Sequence, residues 1–228
     1  MLSRTLEAEV MDTEAEVRDY DSMDHAEVNR LFCDDLLRLR PAMKEVLDVG
    51  TGTARIPIEL CTRLPGARVV GIDLADAMLA VAKENVARAD LDDRIRLEKR
   101  DAKKTGWRDG GFDVVMSNTI LHHIPEPADL LREMWRLAAP SGALFVRDLA
   151  RPTSEGTVHA LVEAYGAPGK GVPERSPGAH DRQRKLFEAS LHASLTLDEI
   201  RAVAAAVGIP EDKVQMTSDR HWTLACIK

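Results

Sequence analysis

The residues of this chain whose types and spacing point to chemistry are an acid, two glycines and a second acid, in Asp48-Val-Gly50-Thr-Gly52-Thr-Ala54 and Val69-Val-Gly-Ile-Asp73. Val46 to Val49 is apolar apart from Asp48 and is bounded by glycine, which predicts a short buried strand. Gly50 and Gly52 let the backbone turn sharply and lie close to a ligand with no Cβ between them. A helix opening at Ile56 would aim its N-terminal amides back at that ligand. Asp73 ends a second predicted strand nineteen residues after Ala54, and an acid there suits the diol of a ribose. The pattern describes a nucleoside-containing cofactor lying across the ends of two adjacent parallel strands.

The neighbours narrow the cofactor. A dinucleotide fingerprint needs a small residue where this chain has Arg55, so that helix and strand pack closely. No Lys-Ser or Lys-Thr follows the glycines, which excludes a nucleoside-triphosphate loop. Asp48 stands where nicotinamide and flavin sites are normally apolar. A ligand with an ammonium group and a nucleoside but no phosphate accounts for an acid there.

The run Asp48 to Ala54 resembles the Asp/Glu-x-Gly-x-Gly-x-Gly motif of the class I S-adenosylmethionine-dependent methyltransferases, with Ala54 replacing the third glycine. The resemblance continues through Arg96-Leu-Glu-Lys-Arg-Asp101-Ala102, Phe112-Asp-Val-Val-Met-Ser117-Asn118, Leu121-His-His-Ile124 and Pro140-Ser-Gly142, and covers roughly residues 44 to 150. It implies S-adenosyl-L-methionine as cofactor, S-adenosyl-L-homocysteine as product, and no metal. It assigns cofactor contacts to Asp48, Gly50, Thr51, Gly52, Asp73, Leu74, Met78, Asp101, Ala102, Ser117 and Asn118. The implied fold is α/β: a Rossmann-like, seven-stranded, mostly parallel sheet with helices on both faces and an antiparallel C-terminal strand hairpin.

The chain pattern that would position these residues agrees with that fold. Strand patterns near 45–49, 68–73, 94–99, 112–117 and 143–149 alternate with helical patterns near 56–63, 76–89 and 127–138, as right-handed βαβ units require. Thr196-Leu-Asp-Glu opens a further helix with a capping box that ends at Gly208, and Val214 to Thr217 and His221 to Ile227 read as the closing hairpin. Residues 1–40 read as a polar helical cap, and 41–228 as the main domain. Within that domain, 151–195 reads as a substrate-side lid, because Gly166 to Gly178 is too rich in glycine and proline to hold a core.

The acceptor side is sketched by residues at strand ends. His122 and His123 are the candidate general bases, since an imidazole near neutrality can take a proton as the sulfonium methyl is attacked; the ordinary alternative is a ring bonded to backbone at a helix start. Ser117-Asn118-Thr-Ile lacks the Pro-Pro-Tyr sequence of enzymes that methylate amines of nucleic acid or protein, and so points to a small molecule. Asn118, His122, Asp148, Arg151 and Tyr20 are the expected acceptor contacts, Arg151 for an anion and Asp148 for an amine. Tyr20, Asp24, His25 and Asn29 equally suit a solvated helix face. Asp73 and Asp101 taken singly could be turn formers.

A chain of 228 residues suits one α/β domain with additions. A net charge of −7 argues against a binder of long nucleic acid, and three scattered cysteines have no metal or disulfide spacing. No apolar stretch is long enough for a membrane span, and the acidic N-terminus is unlike a signal peptide, so a cytoplasmic enzyme acting on a small molecule is expected. Neither the oligomeric state nor the methylated atom is legible. A non-methylating S-adenosylmethionine enzyme and a non-catalytic binding module are the alternatives.

Overall fold

The computed structural model describes residues 2–7, 14–21, 26–39, 42–166 and 178–228. Two helices, α1 (Glu14–Asp21) and α2 (Ala26–Arg38), precede an alternating core: β1 (Glu45–Val49), α3 (Arg55–Arg63), β2 (Arg68–Asp73), α4 (Asp76–Arg88), β3 (Ile95–Lys99), β4 (Phe112–Asn118), α5 (Pro127–Leu137) and β5 (Ala138–Leu149). Then come α6 (Glu155–Tyr165), α7 (Ala179–Ala193), α8 (Leu197–Ala206), β6 (Val214–Met216) and β7 (His221–Ile227). The strands form one seven-stranded sheet in the order β3-β2-β1-β4-β5-β7-β6, parallel except for β7, which runs antiparallel to β5 and β6. This is the fold expected from the sequence. The order reverses between β1 and β4, so the crevice where ligands gather in such sheets opens above the ends of those strands.

Alternation along each strand builds a core on each face. Leu47, Val49, Val115, Leu144 and Val146 meet Leu130, Leu131 and Met134 of α5 and Ile200 and Ala204 of α8. Val46, Val69, Val114 and Phe145 face the other way, onto Ile56 and Leu60 of α3 and Val86 of α4. That second core also takes Phe32, Cys33 and Leu36 of α2, with the Phe32 and Phe145 rings meeting edge to face at 4.9 Å. The helix ahead of β1 is therefore part of the same packing unit as the sheet.

Two local features differ from the sequence reading. The fifth strand starts at Ala138 rather than near 143, because Pro140–Gly142 is held within it as an irregularity: Phe112 pairs with Ala138, and regular pairing resumes at Val114 with Ala143. Segment 151–195 contains two helices, α6 and α7, which with Leu149 and Leu2 enclose a small apolar cluster of Val158, Leu161, Val162 and Leu191. The glycine- and proline-rich stretch between those helices, 167–177, lies outside the described residues, as do Asp24 and His25.

Phe32→Ala is expected to destabilise the whole domain by about 3–5 kcal/mol, the usual cost of truncating a buried phenylalanine. Chemical denaturation followed through the sheet signal checks this; an unchanged midpoint would make α2 a peripheral element.

Candidate functional site

The loop leaving β1 carries the first half of the site. Gly50 and Gly52 have φ of +71° and +52°, and Ala54 follows at +62°, a left-handed conformation that costs a non-glycine residue about 1 kcal/mol. Gly50 and Thr51 both donate their amides to the Ile72 carbonyl at 2.9 Å. A Cβ on Gly50 would fall 2.3 Å from Ile120, whereas one on Gly52 would meet only Met78, 3.9 Å away. Gly50 is thus needed for packing, and Gly52 leaves open space over the loop. The Thr51 hydroxyl is buried there without a well-formed hydrogen bond.

Asp73, at the end of β2, closes this cradle. Its two oxygens accept the amides of Gly52 and Ala75, each at 2.9 Å, which ties the glycine loop to the start of α4. Burial raises its proton affinity, against the opposing pull of those amides. Asp48 beneath the loop is only 2% exposed. Burial pushes its carboxyl up to about 7, with the nearby Thr51 hydroxyl lowering it and Asp73 raising it. Leu74 is half-buried and Met78 buried beside them. Asp101 is exposed, and its Oδ1 accepts from the Lys103 amide at 2.9 Å, so it forms a turn as well as lying beyond β3; Ala102 packs against the core.

Helix α1 lies over this half. Val17 and Tyr20 pack with Ala75, Met78 and Val81, and the Tyr20 phenol is held above its ordinary pKa by burial and by the nearness of Asp73. Asp21 accepts two bonds from Arg55, at 2.9 and 2.7 Å, and one from Asn85 at 2.9 Å. Asn85 also donates to the Thr53 carbonyl.

The second half lies across the crevice, on β4, β5 and the single-turn helix Leu121–His123. Asp148 is buried at the end of β5 and accepts His122 Nδ1 at 2.7 Å, the His122 amide at 3.0 Å and the Leu149 amide at 2.7 Å. The other nitrogen of His122 faces Glu7 at 3.2 Å, and Nδ1 of His123 is 3.5 Å from the same carboxylate. Ser190 of α7 donates to Glu7 at 2.9 Å. Burial disfavours charge on His122, but Asp148 and Glu7 outweigh it and raise its pKa to about 9. Both carboxyls are held below their ordinary values by that imidazolium, against their own burial.

Segment 2–7 is tied down beside Glu7. Arg4 donates to the carbonyls of Ala193 at 2.7 Å, His122 at 3.1 Å and Ile124 at 3.0 Å, and the Thr5 amide donates to His192. Other expected contacts have internal partners. Ser117 is buried and donates to the Val49 carbonyl at 2.8 Å, bridging β4 to β1. Arg151 donates to the Ser194 carbonyl and pairs with Glu199 of α8. Asn118 and His123 remain half-exposed between the two halves, and His123 is near enough to Asp73 to lower its proton affinity.

Glu7, Arg4, Asp21 and Asn85 are the residues that reading the sequence missed. Only Asn85 carried a signal: it interrupts the apolar stripe of α4 formed by Met78, Ala82 and Val86.

Residues 42–181 match a family model described as a methyltransferase domain. The chain is 32% identical over 137 residues to 27-O-demethylrifamycin SV methyltransferase of Amycolatopsis mediterranei, covering 60% of this chain and 50% of that one. It is 30% identical over 222 residues to malonyl-[acyl-carrier protein] O-methyltransferase of Geobacter sulfurreducens, covering 92% and 75%. A crystal structure of a SAM-dependent methyltransferase from Aquifex aeolicus superposes with a TM-score of 0.64 at 16% identity, over 95% of this chain and 99% of that one, a likeness of fold. The chain spans about half the length of most of the curated relatives it matches first.

The raised carboxyl of Asp48 has a consequence for stability. Its folded pKa of about 7 lies above the unfolded value, so the folded state binds the extra proton and loses stability as pH rises from about 4 to about 7. Asp48→Asn is therefore expected to raise the melting temperature of ligand-free protein at pH 8 but not at pH 4. Equal melting shifts at both pH values would show that Asp48 is not held protonated.

Proposed function

This chain belongs to the class I S-adenosylmethionine-dependent methyltransferase family, and from that premise we propose that it transfers the methyl group of S-adenosyl-L-methionine to a small-molecule acceptor. The observation that carries the reading is the cradle between β1 and β2. There, Asp73 pins the glycine loop while the position above Gly52 stays open. The residues fit the cofactor: an open approach at Gly52, a buried acid for an ammonium group, and a half-buried acid for two hydroxyls.

The oxygens of Asp73 accept the Gly52 and Ala75 amides, with the Leu74 amide also close, and the remaining lone-pair capacity would take ribose hydroxyls. Leu74, Met78, Asp101 and Ala102 border the nucleoside, and Gly50, Thr51 and Gly52 the methionine portion. Asp48 balances the cofactor's ammonium through the loop it underlies. The bound sulfonium supplies an already activated methyl group, so the protein's work is to position the acceptor and exclude water.

On the acceptor side we assign Asn118 and His123 to contact and Tyr20 to the donor-side wall. His122 has both nitrogens engaged by carboxylates, so it is a positioning residue for the turn that carries His123. Asp148 holds His122, and Arg151 anchors α8, so neither is assigned to the acceptor. The described parts of the two added segments, residues 2–7 and α1 on one side and α6 and α7 on the other, would form the cover, and they meet where Glu7 reaches Ser190.

An acceptor of small size suits the net charge of −7 and a relative named for acting on 27-O-demethylrifamycin SV. Cys33, Cys61 and Cys226 are free and buried, in keeping with the cytoplasm, and no helix among the described residues is long and apolar enough to cross a membrane.

Asp73→Ala is expected to weaken S-adenosylhomocysteine binding at least about 100-fold, since two hydrogen bonds to a charged group are lost. Titration calorimetry measures this; unchanged affinity would sink the cofactor assignment. Methyl transfer itself is tested with methyl-labelled cofactor and pools of hydroxyl, amine and thiol acceptors. Consumption of the cofactor with no acceptor present would point instead to a non-methylating reaction.

A further inference from the structure

We propose that Glu7, His122 and His123 form a binding site for one divalent transition-metal ion of the zinc type, on the acceptor side of the crevice. The inference rests on the methyltransferase reading only for the location of that crevice; the site itself stands on its own geometry. One carboxylate oxygen and two imidazole nitrogens, from three residues, all lie within 4.8 Å of one another. Tetrahedral zinc with bonds of about 2.0–2.1 Å sets its ligand atoms about 3.3–3.4 Å apart. The separations from Glu7 Oε1 to His122 Nε2 and His123 Nδ1 are 3.2 and 3.5 Å, close to that spacing, and the two imidazole rings, with centroids 4.1 Å apart, would open somewhat to share an ion.

The surroundings are those a metal histidine needs. A ligating imidazole is normally oriented by a carboxylate on its other nitrogen, and Asp148 does this for His122 at 2.7 Å. Asp148 is fixed in turn by the main-chain amides of His122 and Leu149. The ligand-bearing segments are locked together: Arg4 holds the carbonyls of His122 and Ile124, and Ser190 steadies Glu7. Glu7 and Asp148 bring two negative charges to the site, which favour a divalent ion coordinated by neutral imidazoles even with the Arg4 guanidinium on the neighbouring carbonyls. Loading replaces the His122 Nε2 proton that bridges to Glu7, and that proton passes to solvent.

Two imidazoles and one carboxylate favour zinc, cobalt or nickel over magnesium, which prefers oxygen ligands. A tetrahedral ion would have one position left beyond these three ligands. Of the two histidines, His123 is the half-exposed one, so the site is reached from its side.

The test uses full-length protein without a histidine tag, stripped with a chelator and titrated with zinc by calorimetry, then with cobalt by visible absorption. Expected are one ion per chain and a tetrahedral cobalt spectrum. Glu7→Gln and His123→Asn should each abolish saturable binding at micromolar zinc, and Asp148→Asn should weaken it about 10- to 100-fold. S-adenosylhomocysteine affinity and melting temperature, measured on the same variants, separate a lost site from a lost fold. If the stripped protein takes up no zinc, if both ligand variants bind as tightly as the parent, or if magnesium displaces zinc at equal concentration, the proposal is overturned. Failure of S-adenosylhomocysteine to bind the parent would instead refute the cofactor reading and leave the zinc result standing.

Discussion

The carboxylate of Asp73 is the contact on which the half of the crevice built on β1 and β2 depends. It joins two segments that arrive from different strands, the glycine loop after β1 and the first residue before α4, through one amide from each. The bond is possible only because β1 and β2 are paired in parallel with Val49 opposite Ile72, so both chains leave the sheet at the same level. The backbone must then turn at once, which sets the three successive demands for positive φ that Gly50, Gly52 and, at some cost, Ala54 meet. Burying an acid here is unfavourable in itself, and the two amides offset part of that cost. What remains is a carboxylate with lone pairs to spare at the edge of an open crevice.

The half built on β4 and β5 follows the opposite principle, with its charges closed upon themselves. His122 lies between Asp148 and Glu7, so that no member of the set is left without an opposite charge or a hydrogen bond. A buried charge that loses its partner costs about 3–5 kcal/mol, so the three residues specify one another's positions strongly even where their net contribution to stability is small. The N-terminal segment is drawn into the site by this requirement. Glu7 supplies the second carboxylate, and Arg4 satisfies carbonyls that the short helical turn cannot.

Much of the half built on β1 and β2 was legible because its information is local. The apolar runs of β1, β2 and β4, the glycines that stop them and the acids that follow are all read within a few residues of one another. Partners distant in sequence were not legible. Ser117, Asp148 and Arg151 sit at or just past strand ends bordering the crevice, as their positions suggest, yet each is engaged by another part of the fold: the Val49 carbonyl, His122 and Glu199 respectively, with only Arg151 Nε left unpaired. Residue type and strand position say that a side chain is near a site, but not whether its hydrogen-bonding capacity is already used. Glu7 shows the converse, an acid in an unpatterned N-terminal stretch whose partners lie on the single-turn helix and on α7.

Arg55 joins the two kinds of information. In the sequence it argues against a dinucleotide, since it stands where a small residue should let helix and strand close up. In the structure the same side chain has a positive reason to be there. A cation in the first turn of a helix opposes the helix dipole, and α3 has no acid of its own in that turn. Asp21 of α1 supplies the missing acid from outside, taking both Arg55 bonds and reaching Asn85, which in turn holds the Thr53 carbonyl of the glycine loop. The loop is therefore fixed at Gly52 by Asp73 and, through Asn85, at Thr53 by α1. The docking of a helix that precedes the whole sheet is thereby coupled to the shape of the cradle it covers.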